Sequence, residues 1–298
     1  MKVQIMNSET LKELKYIILN KKLLNALYTP PKVEGVDSTM DKLLSGRISM
    51  SRFGDGEYKV MRGMGNGFQK PSQKLGRRLR EIIKMNGAYD DYIVCIPNIP
   101  NDYALLNDDA RGFWQSFMYE YGWSWYRLLN FKSTYYDTQV TRLYYDWKSK
   151  DRCAEWFDRI KKLWDGQNVL IVEGEKTRLG VGNDLFDNTR SIERISCPSN
   201  NAFEHYDEIL NEVKKQPKDK LVLIALGQTA TVLAYDLYKA GYWAVDIGHI
   251  DIEYEWFLQK ATKKIPIKGK YVKEAQELDE VDEIENSRYN SEVIAKII

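Results

Sequence analysis

The feature that most constrains this chain is a regular alternation, from Asn168 to about Lys260, of short apolar runs with longer amphipathic ones. VLIVEG, SIERISCP, LVLIALG and WAVDIG each read as a strand. After them come, in turn, a Gly-rich loop that leads towards a helix, SNNAFEHYDEILNEV, QTATVLAYDLYKAG and HIDIEYEWFLQK. Strands joined by helices of that length form a parallel sheet with right-handed crossovers. Such sheets bind ligands beyond the carboxyl ends of their strands. The expected class is α/β, a parallel-rich sheet flanked by helices, with its special residues gathered at one edge.

The first half is less regular. Apolar residues recur at helical spacing from Glu9 to about Leu27, which predicts an amphipathic helix. Pro30-Pro31 then breaks the chain. A short helix over Thr39 to Leu44, a strand over Arg47 to Phe53, a helix over Ser72 to Met85 and a strand over Tyr92 to Ile96 are expected to follow. Asp108 to Leu129 reads as an aromatic-rich helix, Ser133 to Tyr145 as extended chain, and Arg152 to Trp164 as a further helix. Three segments result: an N-terminal helical extension over 1–46, a main domain over 47–262, and a charged tail over 263–298 expected to dock loosely.

Composition narrows the function. Lys and Arg number 44 against 43 Asp and Glu, a net charge of +1, so no global field draws the protein to nucleic acid or an anionic membrane. Cys95, Cys153 and Cys197 form no CxxC pair, and Cys95 and Cys197, in apolar strand-like runs, are expected to be buried, inert thiols. The charged start does not read as a secretory signal, and no run reaches the ~20 apolar residues of a spanning helix. The expected setting is cytoplasmic.

The strongest local signal is Ser51-Arg52-Phe53-Gly54-Asp55-Gly56-Glu57. If the segment stays extended, residues i and i+2 project to one side, and Asp55 and Glu57 face one Mg²⁺ or Mn²⁺ against a diphosphate. The same letters also spell an ordinary turn. A second signal runs from Glu173-Gly174 through Lys176, Arg178 and Gly182, where glycines free backbone N–H groups and two cations suit a phosphate; a solvated charge run is the alternative. Ser199-Asn200-Asn201 and Gly227-Gln228-Thr229 sit at two further strand ends, either as helix caps or as ligand contacts. The fourth strand end holds His249 in an acidic stretch. It reads as a third metal ligand or as a structural histidine, and Asp251, Glu253 and Glu255 beside it are candidate general bases. Four polar strand ends in succession suggest one cleft.

RFGDGE, QKLGRRLREI, VLIVEGEKTRLGVGNDLF, CPSNNAF, LGQTATVLAYDL and DIGHIDIEYEW, spread over Met50 to Lys260, together resemble the GT-D-fold glycosyltransferases of Gram-positive bacteria, which glycosylate serine-rich adhesins and build surface polysaccharides. The resemblance implies a Rossmann-like sheet of GT-D type over 47–262 and a DxE motif at Asp55 and Glu57 holding Mn²⁺ (or Mg²⁺). It also implies a UDP-sugar donor carrying glucose or galactose, and a glycan or glycoprotein acceptor. The resemblance carries catalytic and metal-holding roles onto Asp55 and Glu57 alone. From the residues' own chemistry and strand-end positions, Arg52, Phe53, Gly54, Gly174, Lys176, Arg178, Gly182, Ser199, Asn201, Gly227 and Thr229 are expected to contact substrate, Asp251 to be catalytic as the base, and His249 to join the metal.

A rival reading is a non-catalytic nucleotide-sugar-binding partner of a transferase complex. A dinucleotide-dependent oxidoreductase would need a GxGxxG fingerprint that the chain lacks. The oligomeric state is open, with the aromatic stretch Phe113 to Trp125 a surface for a second copy or for the acceptor.

Overall fold

A computed structural model describes residues 30–98, 103–276, 281 and 285–298; the helix expected over Glu9 to Leu27 lies outside them. The described chain begins with helix α1 (Val36–Leu44), then β1 (Ser49–Arg52), α2 (Asp55–Met61), α3 (Gln73–Lys84) and β2 (Tyr92–Ile96). Next come α4 (Asp108–Tyr126), β3 (Tyr136–Asp137), α5 (Cys153–Lys161), β4 (Asn168–Gly174) and β5 (Ser191–Cys197). After them follow α6 (Tyr206–Lys214), β6 (Leu221–Ala225), α7 (Gln228–Lys239), β7 (Trp243–Asp246), α8 (Ile250–Leu258), α9 (Ser287–Glu292) and β8 (Val293–Lys296).

The strands form one parallel eight-stranded sheet in the order β3-β2-β1-β7-β6-β4-β5-β8. Because both faces are covered, the central strands are apolar throughout, and alternate residues feed opposite cores. Leu170, Val172, Val222 and Ile224 pack with α2, α3, α4, α6 and α7. Val169, Ile171, Leu221, Leu223 and Val245 pack with α1, α5 and α8 on the other side. The first three strands run outward from β1 and the later ones return to it, so β1 and β7 meet at the point where the strand order reverses. A crevice opens at the carboxyl ends of such neighbours.

Local chemistry sets the element ends. Ser72 and Asn107 cap α3 and α4 by accepting from the N–H groups of Leu75 (3.2 Å) and Ala110 (2.8 Å). Three expectations change. Ser133 to Tyr145 contains only the two-residue β3, because the Asp137 side chain accepts from Gln139 N–H (2.9 Å) and turns the chain into a 3₁₀ turn over Thr138–Thr141. No helix joins β4 to β5: the loop passes through positive φ at Arg178, Gly180 and Gly182. The charged tail is not loose, since β8 pairs with β5 and Lys270 is buried. In the aromatic stretch, Trp114, Phe117 and Trp125 are core, while Phe113 and Tyr119 stay exposed. All three cysteines are buried and free.

Candidate active site

β1 ends in Arg52 and β7 in Asp246, and the two close the switch point with an ion pair. The Arg52 guanidinium donates to Asp246 Oδ1 (3.1 Å) and, through Nε, to the Asp246 carbonyl (3.0 Å). Gly248, at φ +43°, lies where a Cβ would overlap that guanidinium. Beyond this pair a cavity of about 520 Å³ opens, within the range of small-molecule sites.

Phe53, Gly54, Asp55 and Glu57 form one end of the cavity. The two carboxylates do not lie on an extended strand. They occupy the first and third positions of α2, where Glu57 Oε2 turns back to accept from Gly54 N–H (2.7 Å), the glutamate half of a capping box. Asp55 pairs with Lys59 one turn on (2.9 Å). Burial pushes Glu57 up to about 7, and the Asp246 carboxylate adds to the effect. Burial also raises Asp246, against the pull of Arg52. The glycine between the carboxylates lets Gln228 approach: a Cβ on Gly56 would meet Gln228 Nε2 at 2.5 Å and push that side chain aside. Gln228, at the start of α7, is buried, and its Oε1 has no protein partner.

Gly174, Ser199, Gly227 and His249 line the same space, as strand-end reasoning expects. His249 Nε2 lies 2.9 Å from Glu274 Oε2. Burial would raise Glu274, but His249, Arg142 and Lys264 hold it well below the usual carboxylate range. Among the described residues no three His, Cys, Asp or Glu side chains gather to hold a metal ion, so Asp55, Glu57 and His249 share a cavity without forming a ligand set.

The remaining site expectations are corrected by position. Asp251 is buried away from the cavity: it accepts from Gly180 N–H (2.9 Å) and the Asn183 amide (2.8 Å) and pairs with Lys270 (2.7 Å). Glu253 accepts from the Tyr144 and Tyr145 N–H groups (3.0 and 2.7 Å). Neither is placed to act as a base. Lys176, Arg178, Gly182, Asn201 and Thr229 also stand outside the lining. Several of them build the walls from behind. The Lys176 carbonyl accepts from Tyr271 N–H (2.8 Å), Arg178 donates to the Gly269 carbonyl (2.8 Å), and Asn201 N–H donates to the Phe68 carbonyl (2.7 Å).

A family model described as the glycosyltransferase GT-D fold matches residues 50–275. The chain belongs to that family. It is 36% identical over 281 residues to the "Glycosyltransferase GlyD" of Streptococcus pneumoniae serotype 4 (strain ATCC BAA-334 / TIGR4), covering 94% of this chain and 34% of that protein. It is likewise 36% identical over 265 residues to the "Probable glycosyl transferase Gly" of Streptococcus gordonii, covering 89% and 39%. The chain thus spans little more than a third of the curated relatives it matches. Two solved structures superpose with a TM-score of 0.87. One, described as a domain of unknown function 1792 with a distinct glycosyltransferase fold, is 34% identical over 97% of this chain and 99% of its own. The other, a new glycosyltransferase of the same domain from Streptococcus sanguinis, is 35% identical over 90% and 100%.

Within this GT-D domain, sequence reasoning passed over several cavity residues. Asp246 and Gln228 sit at strand ends already marked, and the same rule reaches them. Phe68, Tyr271, Lys273 and Glu274 come from irregular segments with no periodic signal. They are a ring-and-cation group: Lys273 Nζ stands 4.4 Å from the Phe68 ring centroid, and the Tyr271 ring meets Phe68 edge-on at 5.9 Å.

Proposed function

We propose that this GT-D domain transfers a hexose, glucose or galactose, from a UDP-sugar to a glycan or glycoprotein acceptor in a metal-dependent reaction. One observation carries the reading: two carboxylates and the amino-terminal end of α7 face a single cavity at the β1/β7 switch point of a GT-D sheet.

The residues present fit a divalent cation. Asp55 and Glu57 would hold it, and the raised Glu57 marks negative charge at the cavity floor that no protein cation fully balances. Two carboxylates leave most positions of a Mn²⁺ or Mg²⁺ ion to water and phosphate oxygens, the usual arrangement where such ions bind through a substrate diphosphate. When bound, the ion neutralises charge on the departing diphosphate. The chain does the rest. Gly227 opens α7 at φ +52°; Thr229 and Ala230 N–H turn back onto the Leu226 and Gly227 carbonyls (3.2 and 3.0 Å), so what the helix start offers a phosphate is chiefly the positive end of its dipole. The unpartnered Gln228 Oε1 can accept from a donor hydroxyl. Arg52, pinned on Asp246, keeps the two strand ends in register beneath the ligand. No helix among the described residues is long and apolar enough to cross a membrane, and three free thiols suit the cytoplasmic setting we assign.

The test is release of free nucleoside diphosphate from a panel of nucleotide sugars, with Mn²⁺, with Mg²⁺ or with EDTA. The expected result is EDTA-sensitive release from UDP-glucose or UDP-galactose. Binding without turnover of any donor would instead make the domain a nucleotide-sugar-binding partner.

A further inference from the structure

One wall of the cavity carries none of the residues assigned above to the donor. It is built by the first two turns of α4 and by the chain after β3, and it carries Asp109, Phe113, Trp114 and Tyr145. Among the described residues, the large exposed apolar side chains are scattered over the surface, and Phe113, 46% exposed, is the one that lines the cavity. The other rings here are occupied. Trp114 is buried and packs near-perpendicular to Phe113 (centroids 5.1 Å apart), the face of Tyr145 is covered by Lys264 at 5.2 Å, and Phe68 lies under Lys273. Phe113 therefore offers a half-exposed apolar ring on the cavity wall.

One turn before it stands Asp109. Residues four apart share a helix face, so the Asp109 carboxylate and the Phe113 ring are neighbours on the cavity side. Asp109 Oδ2 accepts from the Tyr145 hydroxyl (3.0 Å), which fixes the group in place and leaves its other oxygen to a ligand. A pyranose ring has an apolar C–H face and a rim of hydroxyl donors, and it matches an aromatic platform beside a fixed acceptor. An anionic sugar would meet the Asp109 carboxylate and be repelled.

We propose that Asp109 and Phe113 form a saccharide subsite that takes a neutral hexopyranose, the terminal ring of the acceptor. Its role in transfer rests on the function proposed above; its capacity to bind a neutral sugar does not. Phe113 supplies the stacking surface, Asp109 accepts hydrogen bonds from ring hydroxyls, and Trp114 holds Phe113 upright. Asp109 and Phe113 line the same cavity as Asp55 and Glu57.

Saturation-transfer NMR with cellobiose, maltose, lactose and chitobiose tests the binding. At least one is expected to receive saturation from the wild-type protein, with the signal lost in Phe113→Ala and kept in Phe113→Tyr. Phe113 is exposed, so truncating it should leave the fold intact, and a superposable circular dichroism spectrum checks this. With a disaccharide that serves as acceptor, Phe113→Ala should raise the acceptor KM roughly tenfold, the loss expected for one aromatic contact, while the donor KM moves less than twofold. Asp109→Asn should raise the acceptor KM in the same direction. No saturation of any of the four sugars, or equal saturation in wild type and Phe113→Ala, overturns the subsite. Sugar binding that depends on Phe113 in a protein that turns over no nucleotide sugar would keep the subsite and remove the transfer reading.

Discussion

Lys270 is the position where a single substitution should do most damage relative to what sequence suggests. It comes from the charged tail, yet its side chain is 3% exposed, with Nζ 2.7 Å from Asp251 Oδ2 and 2.9 Å from Glu255 Oε1. Asp251 is 1% exposed and Glu255 12%. The Asn183 amide donates to both carboxylates, and Gly180 N–H donates to Asp251, so the cluster ties α8, the β4–β5 loop and the tail together. Lys270→Met keeps the length of the side chain and removes the charge, leaving two close carboxylates without their cation. Breaking a buried pair in this way costs about 3–5 kcal/mol, a fall in Tm of roughly 5–8 °C for a chain of this size. Urea unfolding followed by tryptophan emission, alongside calorimetry, measures it. Adding Asp251→Asn should recover part of the loss, because the variant then buries one charge fewer. A cost below about 1 kcal/mol for Lys270→Met, the value of a surface pair, would refute the argument and return the tail to a loosely docked segment.

Three other outcomes are expected. Asp55→Asn should cut nucleoside diphosphate release by about 100-fold or more while leaving the urea midpoint within experimental error; retained turnover sinks the carboxylate's assignment. Burial raises all three thiols, Cys153 to about 11 and the other two as well, so they stay protonated; Ellman's reagent at pH 8 should find none in the native protein and three after unfolding, and fast reaction of any native thiol contradicts this. Gly76→Ala places a Cβ 2.6 Å from the Val60 carbonyl oxygen, where α3 crosses α2, and should cost about 1–3 kcal/mol; an unchanged urea midpoint refutes that contact.

Why some of this could be read from sequence and some could not follows from which residues see a periodic environment. β2, β4, β6 and β7 are buried on both faces, so YIVCI, VLIV, LVLIA and WAVD stand out as apolar runs. β8 is an edge strand with alternating half-buried and exposed residues, in a stretch dominated by charge, and VIAK carries no comparable mark. The site divides in the same way. Gly54, Gly174, Ser199, Gly227 and His249 follow strands, and a parallel sheet dictates that such positions converge. Tyr271, Lys273 and Glu274 are held at the cavity by tertiary contacts, Lys270 in its buried cluster, Tyr271 N–H on the Lys176 carbonyl and Glu274 beside His249 and Arg142, none of which has a local signature. Asp251 misled for the complementary reason. Spacing places it on a helix among acids but cannot say which face of that helix turns inward.

Asp55 and Glu57 raise a sharper question, since its cap on Gly54 N–H alone would account for Glu57. A glutamate that serves only as a cap is better left in water, whereas Glu57 is desolvated enough to rise to about 7, with Asp246 as its next largest burden. Glu57→Gln separates the two roles. Its amide oxygen can still accept from Gly54 N–H, so the cap survives while the charge goes. The native carboxylate binds its proton more tightly than the unfolded one, so wild-type stability contributed by Glu57 falls as pH rises from 4.5 through about 7. In metal-free buffer Glu57→Gln should therefore be the more stable protein at pH 8, by about 2 kcal/mol after allowance for partial solvent contact, and the two should converge near pH 4. The same variant should lose EDTA-sensitive turnover. If it keeps turnover and shows no gain in stability at pH 8, Glu57 is a cap and nothing more, and a cation in this cavity would have to be held without it.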